Sequence, residues 1–241
     1  MNAAERDGAS GHPSRGAPAR SVLPEGGSGG WHRLGQWISV TMVRLPFRVR
    51  MHHRERVPRS GAVVMVANHS SMVDGPLLLG MVPRSAVFLI KSEMFRGPLG
   101  WFLRKIGQLP VRRGEPDRRP LLAAVRVLRE GGLVGVFPEG TRGEGDVHSA
   151  QHGAAWLART AGAQVLPVVC RGTHRPAGRR RRFLPRVDVM FGEPVTLTDV
   201  KGRAGLATAT EQVRGELVAL IAELDRTIGD GRDDEARGKK A

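Results

Sequence analysis

Several residue types are scarce in this 241-residue chain, and each scarcity excludes a class of protein. Tyrosine is absent and aromatic residues make up only 5% of the chain, which disfavours a nucleic-acid module that stacks bases on exposed rings. The single cysteine, Cys170, excludes an internal disulfide and a cysteine-rich zinc site. We find neither a secretory signal nor an apolar run near the ~18 residues of a membrane-spanning helix. We therefore expect a protein that is soluble or attached to a membrane from one side.

Acidic residues are also few relative to basic ones. Asp and Glu number 23 against 38 Lys and Arg, which gives a formal net charge of +15. Such a balance indicates anionic partners: nucleic acid, an anionic membrane surface or a phosphorylated substrate. Hydrophobic residues at 40% and charged residues at 25% are typical of a globular domain.

The pattern along the chain predicts one folded region between two tails. Residues 1–30 and 229–241 are poor in large apolar side chains, which predicts disorder for both. Between them, an apolar stretch at 31–47 precedes a domain at 48–228. Short buried strands are predicted in that domain at 62–67, 85–90, 133–137, 165–170 and 187–191, and helices at 76–80, 119–130, 153–160 and around 213–224. Strands that alternate with helices predict an α/β fold, with a largely parallel β-sheet flanked by helices in a single domain.

His69 and Asp74 lie directly after a predicted buried strand, five residues apart. Histidine titrates near neutral pH and so suits a general base, while a carboxylate on its other ring nitrogen would orient it. The alternative is structural: Asp74 caps a helix that begins near Pro76, and His69 is a loop residue without a role. The spacing by itself leaves both interpretations open.

A second polar loop, Phe137–Arg142, follows another predicted strand. Arg142 offers a planar cation for phosphate oxygens, and Glu139 a carboxylate for a hydroxyl. Gly140 would let the backbone approach a ligand closely. An ordinary polar turn is the alternative, because Pro-Glu-Gly is common in turns.

Apolar and basic side chains interleave between Lys91 and Arg113. This segment would suit a molecule with an apolar chain and an anionic head. An amphipathic helix that packs on the core with a solvated basic face explains the same pattern.

Together these segments resemble the PlsC-like 1-acyl-sn-glycerol-3-phosphate acyltransferases. His69 and Asp74 match the HxxxxD motif of that family, and residues 137–142 match its FPEGTR block. Lys91 and Arg113 lie in a segment similar to its second block, and residues 165–168 resemble its fourth.

The resemblance implies that His69 is the general base and that Asp74 orients it. It implies an α/β acyltransferase domain that needs no metal and no cofactor, with acyl-CoA or acyl carrier protein as the acyl-donating substrate. The expected contacts to substrate are Lys91, Arg113, Glu139, Gly140, Thr141 and Arg142. The expected reaction acylates the free hydroxyl of 1-acyl-glycerol-3-phosphate and yields phosphatidic acid. A lyso-ornithine lipid, a glycolipid or another lysophospholipid is the alternative acceptor.

A lipid substrate also predicts a location for the protein. We expect it to bind peripherally to an anionic membrane surface, on the cytoplasmic face, through an interfacial helix at 31–47. The alternative for that segment is a core helix packed on the domain. We expect no nucleic acid as a partner, and a serine hydrolase is disfavoured because GxSxG is missing.

Overall fold

The computed structural model describes residues 22–112, 118–137, 147–174, 183–198 and 202–238. Their strands are β1 (Arg48–His52), β2 (Val63–Ala67), β3 (Ala86–Lys91), β4 (Leu109–Val111), β5 (Leu133–Val136), β6 (Gln164–Arg171) and β7 (Arg186–Phe191). Their α-helices are α1 (Gly29–Arg44), α2 (Asp74–Met81), α3 (Gly97–Lys105), α4 (Arg119–Arg129), α5 (Val147–Ala161) and α6 (Gly202–Gly238). Short 3₁₀ turns lie at Arg54–Arg56 and Ser92–Phe95.

The strands form one seven-stranded sheet in the order β1-β7-β6-β2-β5-β3-β4. All neighbours are parallel except β6 and β7, which are antiparallel. The carboxyl ends of β2 to β6 therefore lie at the same edge of the sheet as the amino ends of β7 and β1. We call this edge the catalytic edge, because His69 follows β2 there.

Helices cover both faces of the sheet, which explains why the central strands are apolar throughout. All five residues of β2 and all four of β5 are buried. One hydrophobic core joins alternate strand residues to α1, α2 and α3, and the other joins the remaining strand residues to α4, α5 and α6. Because side chains alternate along a strand, each central strand contributes to both cores.

The predicted tails differ from the structure over two short segments. Residues 22–30 belong to the predicted disordered tail, but residues 29 and 30 begin α1, and the segment before them packs on the domain: the Ser28 amide donates to the Lys105 carbonyl at 3.0 Å, and Leu23 contacts Gly107. At the other end α6 continues to Gly238, past the predicted end of the folded region at 228. Residues 229–238 contain three glycines and three aspartates, which are poor helix formers, so the extension continues a helix that is already nucleated and does not reflect a strong helical propensity of its own. Residues 1–21 and 239–241 lie outside the described part of the chain.

Two further strands and one helix were not assigned from the sequence. β1 and β4 lie at the two edges of the sheet, where short strands need fewer apolar residues. The segment from Lys91 combines the end of β3, a 3₁₀ turn, α3 and β4 instead of one amphipathic helix. Its apolar residues divide accordingly: Phe95, Leu103 and Ile106 are buried, whereas Leu99 and Trp101 are exposed.

Candidate active site

The candidate site begins where β2 ends, at Asn68. Its side chain donates from Nδ2 to the Cys170 carbonyl at 3.0 Å and accepts from the Cys170 amide at Oδ1, at 2.7 Å. The Asn68 side chain thus makes the two hydrogen bonds to β6 that the backbone of β2 would make if the strand continued. The chain is free to turn away from the sheet one residue later, and His69 starts that turn.

The turn closes around the carboxylate of Asp74. Oδ2 of Asp74 accepts from the amides of Ser70 and Ser71, each at 2.7 Å, and lies 3.2 Å from Nδ1 of His69. The Asp74 side chain is fully buried, and that of His69 is 17% exposed. The predicted contact between the two side chains is therefore present in the structure.

These hydrogen bonds also show whether the Asp74 carboxylate caps helix α2. Helix α2 begins at Asp74, but the carboxylate accepts from the loop that precedes the helix and not from the first turn of the helix. The alternative that Asp74 caps the helix is therefore wrong. Burial alone would raise the pKa of Asp74, but the contact with His69, the nearby Thr173 hydroxyl and the hydrogen bonds from the amides of Ser71 and Ser70 outweigh it and lower that pKa. Asp74 is consequently ionised at neutral pH.

A stack of rings supports His69 from the side of β5. The imidazole lies on the ring of Phe137, with centroids 4.4 Å apart, and Phe137 lies on Phe88 at 5.7 Å. Phe88 pairs across the strands with Gly135, where a Cβ atom would overlap the Phe88 ring. Gly135 therefore leaves the space that allows this stack to form.

The turn after β6 contacts the same loop from the other side. Oγ of Ser70 lies 3.1 Å from Oγ1 of Thr173, and Nδ1 of His174 lies 3.3 Å from the Ser70 carbonyl oxygen. Thr173 is buried and His174 is exposed. The His69 loop is thus held between the ends of β5 and β6, the two neighbours of β2.

The remaining predicted contacts are only partly described. Lys91 ends β3 at the catalytic edge with an exposed side chain. Arg113 and residues 139–142 lie outside the described residues. Phe137, the first residue of their block, contacts His69, so the chain enters that block beside the imidazole.

Three comparisons with known proteins bear on this site. A family model described as Acyltransferase matches residues 48–171. The chain belongs to the acyltransferase family. It is 29% identical to the 1-acyl-sn-glycerol-3-phosphate acyltransferase of Bacillus subtilis, over 74% of this chain and 90% of that enzyme. It is 37% identical to the lyso-ornithine lipid O-acyltransferase of Pseudomonas aeruginosa, over 55% of this chain and 50% of that enzyme.

A solved acyltransferase structure supports the same assignment. The crystal structure of the 1-acyl-sn-glycerophosphate acyltransferase PlsC from Thermotoga maritima is similar with a TM-score of 0.60 and 30% identity, and the match covers 81% of this chain and 78% of that one. The predicted resemblance to PlsC-like enzymes and the predicted single α/β domain with a mostly parallel sheet are both confirmed.

In this acyltransferase, several residues around His69 were not assigned a role from the sequence. These are Ser70 and Ser71, whose amides bind Asp74, together with Phe88 and Thr173. Ser70 and Ser71 lie inside the HxxxxD motif, so their role could have been predicted, because a buried carboxylate needs hydrogen-bond donors close to it. Thr173 is 103 residues from Ser70. Only the adjacency of β2 and β6 brings these two residues together.

The contact between His69 and Asp74 determines which ring nitrogen of His69 can accept a proton. An imidazole that donates its Nδ1 proton to a carboxylate has a lone pair on Nε2. Among the described residues, the Asp74 contact is the one hydrogen bond of the His69 side chain. The ring can therefore accept a proton at Nε2, while ionised Asp74 stabilises the imidazolium that results.

Proposed function

We propose that this acyltransferase moves a fatty acyl group from an acyl thioester to the free hydroxyl of 1-acyl-glycerol-3-phosphate, which forms phosphatidic acid for phospholipid synthesis. The observation that carries the proposal is the His69–Asp74 contact at the catalytic edge of a chain in this family. The relatives named 1-acyl-sn-glycerol-3-phosphate acyltransferase support this acceptor.

In the proposed reaction, Nε2 of His69 removes the proton from the acceptor hydroxyl as its oxygen attacks the thioester carbonyl carbon. The carbon–sulfur bond breaks, an ester forms, and the departing thiolate takes the proton back from His69. Asp74 stays ionised and stabilises the transient imidazolium. General-base catalysis of this kind contributes roughly 10²–10⁴-fold to the rate.

The oxyanion that forms on the thioester carbonyl needs donors close to His69. Four amides of the loop are already engaged: Ser70 and Ser71 bind Asp74, Val73 donates to the Ser71 hydroxyl, and Asp74 donates to the Ser71 carbonyl. We therefore assign the oxyanion to the amides of Met72, two residues before α2, and of Gly75, the second residue of that helix. Among the described residues, no neighbouring atom lies within 4 Å of the position that a Cβ atom on Gly75 would occupy, which supports this choice.

The phosphate of the acceptor would bind to the cations that the family resemblance indicates. Arg113 and Arg142 are the main proposed contacts, with Lys91 at the catalytic edge as a further one. Glu139, Gly140 and Thr141 would bind the glycerol portion. The thioester is already an activated acyl group, so the proposed reaction uses no metal ion and no cofactor beyond its substrates.

The identity of the acceptor is tested with purified protein and a set of lysolipids. We expect a higher kcat/KM for 1-acyl-glycerol-3-phosphate than for lyso-ornithine lipid, with products identified by mass spectrometry. Each acceptor is paired with acyl-CoA and, separately, with acyl carrier protein, which also identifies the donor. The relative from Pseudomonas aeruginosa makes lyso-ornithine lipid the second candidate, and its preferential use would overturn the proposed acceptor.

Helix α1 supports a second part of the proposal, peripheral binding to the cytoplasmic face of the membrane. The residues that α1 buries against the domain are His32, Gly35, Ser39 and Val43, so three of the four are polar or small. Most of its large apolar residues are exposed instead, with Trp37 at 65% exposure, and Leu45 directly after the helix is 72% exposed. A helix that packs on a domain normally buries its apolar face, and an exposed apolar surface typically binds a membrane or another protein.

The exposed apolar surface extends from α1 onto α3. The rings of Trp31 and Trp101 meet edge to face with centroids 5.1 Å apart, and Leu99 is 50% exposed beside them in α3. At its other end α1 leads through a short connection into β1, whose first residue, Arg48, lies at the catalytic edge. Among the described residues, no helix is long and apolar enough to cross a bilayer. We propose that this α1–α3 surface lies in the membrane interface, where the acceptor lipid is located.

Point substitutions test membrane binding better than deletion of α1, because Val43 belongs to the core. Replacing both Trp37 and Leu45 with Ser should reduce sedimentation with vesicles that contain anionic lipid, by about tenfold, because two exposed apolar side chains are lost. Leu122→Ser is the matched control: Leu122 is 51% exposed on α4, which covers the opposite face of the sheet. Equal sedimentation of all three proteins would contradict the proposal.

A further inference from the structure

The turn after β6 contains a buried hydroxyl that the reaction described above does not use. Thr173 is 6% exposed, and its Oγ1 lies 3.1 Å from Oγ of Ser70. Gly172 shapes this turn: it has a φ of +89°, and a Cβ atom there would overlap the Arg186 carbonyl. The backbone that presents Thr173 to the His69 loop therefore depends on a glycine.

The Asp74 carboxylate has one oxygen that still needs a donor. Oδ2 receives the two loop amides and His69, whereas Oδ1 is buried and makes no well-formed hydrogen bond within the described part of the chain. A buried carboxylate oxygen without a donor is costly, and such atoms are rare in folded proteins. The Thr173 hydroxyl is next to this carboxyl group and is among the groups that lower its pKa.

The direction of the bond between Ser70 and Thr173 follows from this need. Each hydroxyl has one proton to donate, and an ionised carboxylate can only accept. If Thr173 donated to Ser70, it would have no proton for Asp74. If Ser70 donates to Thr173, the Thr173 proton remains available for Oδ1, and all three groups are satisfied.

We propose that Thr173 is a positioning residue of the His69–Asp74 pair, one that accepts from Ser70 and donates to Oδ1 of Asp74. This bond would fix the rotation of the carboxylate, so that Oδ2 stays aimed at Nδ1 of His69. The inference rests on the proposed role of His69 as the general base. It adds a third side chain, supplied by the turn after β6, to the two of the HxxxxD motif.

The test compares Thr173→Val with Thr173→Ser. Valine has nearly the shape of threonine but no hydroxyl, so we expect kcat to fall about tenfold while KM for the acceptor stays within about twofold. Serine keeps the donor, so kcat should return to within about threefold of the unchanged enzyme. Thr210→Val is the matched control, because Thr210 is also buried but donates to Leu206 within α6, away from the site. Its kcat should not change.

Ser70→Ala tests the direction of the bond. In our arrangement Thr173 keeps its donation to Asp74 without the Ser70 hydroxyl, so this variant should lose less than about threefold in kcat. A loss in Ser70→Ala equal to that in Thr173→Val would overturn the proposed direction. Full kcat in Thr173→Val, or equal losses in the Val and Ser variants, would overturn the positioning role.

His69→Ala, assayed beside these variants, separates this inference from the proposed function. An inactive His69→Ala with a fully active Thr173→Val would refute only the role of Thr173. An active His69→Ala would refute the general-base mechanism itself. Should Thr173→Val fail to fold, as judged by circular dichroism, the Ser70→Ala and Thr173→Ser pair still decides: a tenfold loss in Ser70→Ala contradicts the proposal, and near-normal kcat in both supports it.

Discussion

The described part of the molecule contains two histidine–aspartate pairs, and they differ in the ring nitrogen that makes the contact and in the other partners of the carboxylate. His52 of β1 lies 3.0 Å from Asp188 of β7 through Nε2. Arg186 binds both oxygens of the same carboxylate, at 2.8 and 3.0 Å. His69 contacts Asp74 through Nδ1, and the other close donors to Asp74 are neutral backbone amides.

The comparison shows what a histidine beside a carboxylate needs in order to act as a base. The charge of Asp188 is balanced by Arg186, and the pair lies within two strands, where it joins the edge of the sheet to its neighbour. Within the described residues, no lysine or arginine is in ion-pair contact with Asp74. The negative charge of Asp74 is therefore available to stabilise an imidazolium, and His69 lies in the loop after β2 instead of within a strand.

Removing the imidazole from each pair should give the largest difference in kcat between the two pairs. We expect His69→Ala to lower kcat by roughly 10²–10⁴-fold, because the general base is lost. His52→Ala should keep kcat within about twofold, since its pair has a structural role. Product formation from 1-acyl-glycerol-3-phosphate and acyl-CoA, followed by mass spectrometry, measures both. Comparable losses in the two variants would mean that the pairs do not differ as described.

Neutralising each carboxylate should separate activity from stability. Asp74→Asn should lower kcat on the order of 10²-fold, because an amide cannot stabilise the imidazolium. Asp188→Asn should leave kcat nearly unchanged but lower the free energy of unfolding by about 1–3 kcal/mol, because Arg186 and His52 lose a charged partner. Steady-state kinetics and urea denaturation supply the two measurements. A catalytic defect in Asp188→Asn without a loss of stability would reverse our assignment.

Lowering the pH should have a smaller effect, a loss of unfolding free energy that depends on Asp74. Because its pKa is lowered in the folded state, ionised Asp74 contributes stability that is present above its ordinary pKa and is lost as the pH falls through the folded value. The difference in unfolding free energy between the unchanged protein and Asp74→Asn should thus shrink below about pH 4. Urea denaturation at several pH values tests this, and a difference that stays constant down to pH 2 would count against it.

The sequence predicted the central sheet and the His69–Asp74 contact because both depend on short-range patterns. Uncharged β-branched runs identify buried strands such as β2 and β6, and five residues are few enough for one turn to bring Asp74 back to His69. For Phe137 the sequence predicted a position near the same edge of the sheet, because it too follows a buried strand. It did not predict the contact between the rings of Phe137 and His69.

Other features depend on which elements become neighbours, and local patterns do not contain that information. Thr173 reaches the His69 loop because β6 pairs with β2, although the two strands are far apart in the chain. The outer β1 carries alternating charged residues, which are equally typical of a solvated surface. The strand β7 was predicted, but its antiparallel direction follows only from its pairing with β6. For α1 the apolar composition is evident from the sequence, but the side that faces the domain is not. The structure shows the small and polar residues buried and the tryptophans outside.

Asn68 has a consequence for how the two central strands align during folding. Its side-chain amide forms hydrogen bonds with both the N–H and the C=O of Cys170, and this pair of bonds can form in only one register of β2 against β6. A slip by a single residue would move every β2 side chain to the opposite face of the sheet, and would turn the imidazole away from Phe137. One polar side chain thereby couples correct strand alignment to the assembly of the site, so a misaligned chain is also an inactive one.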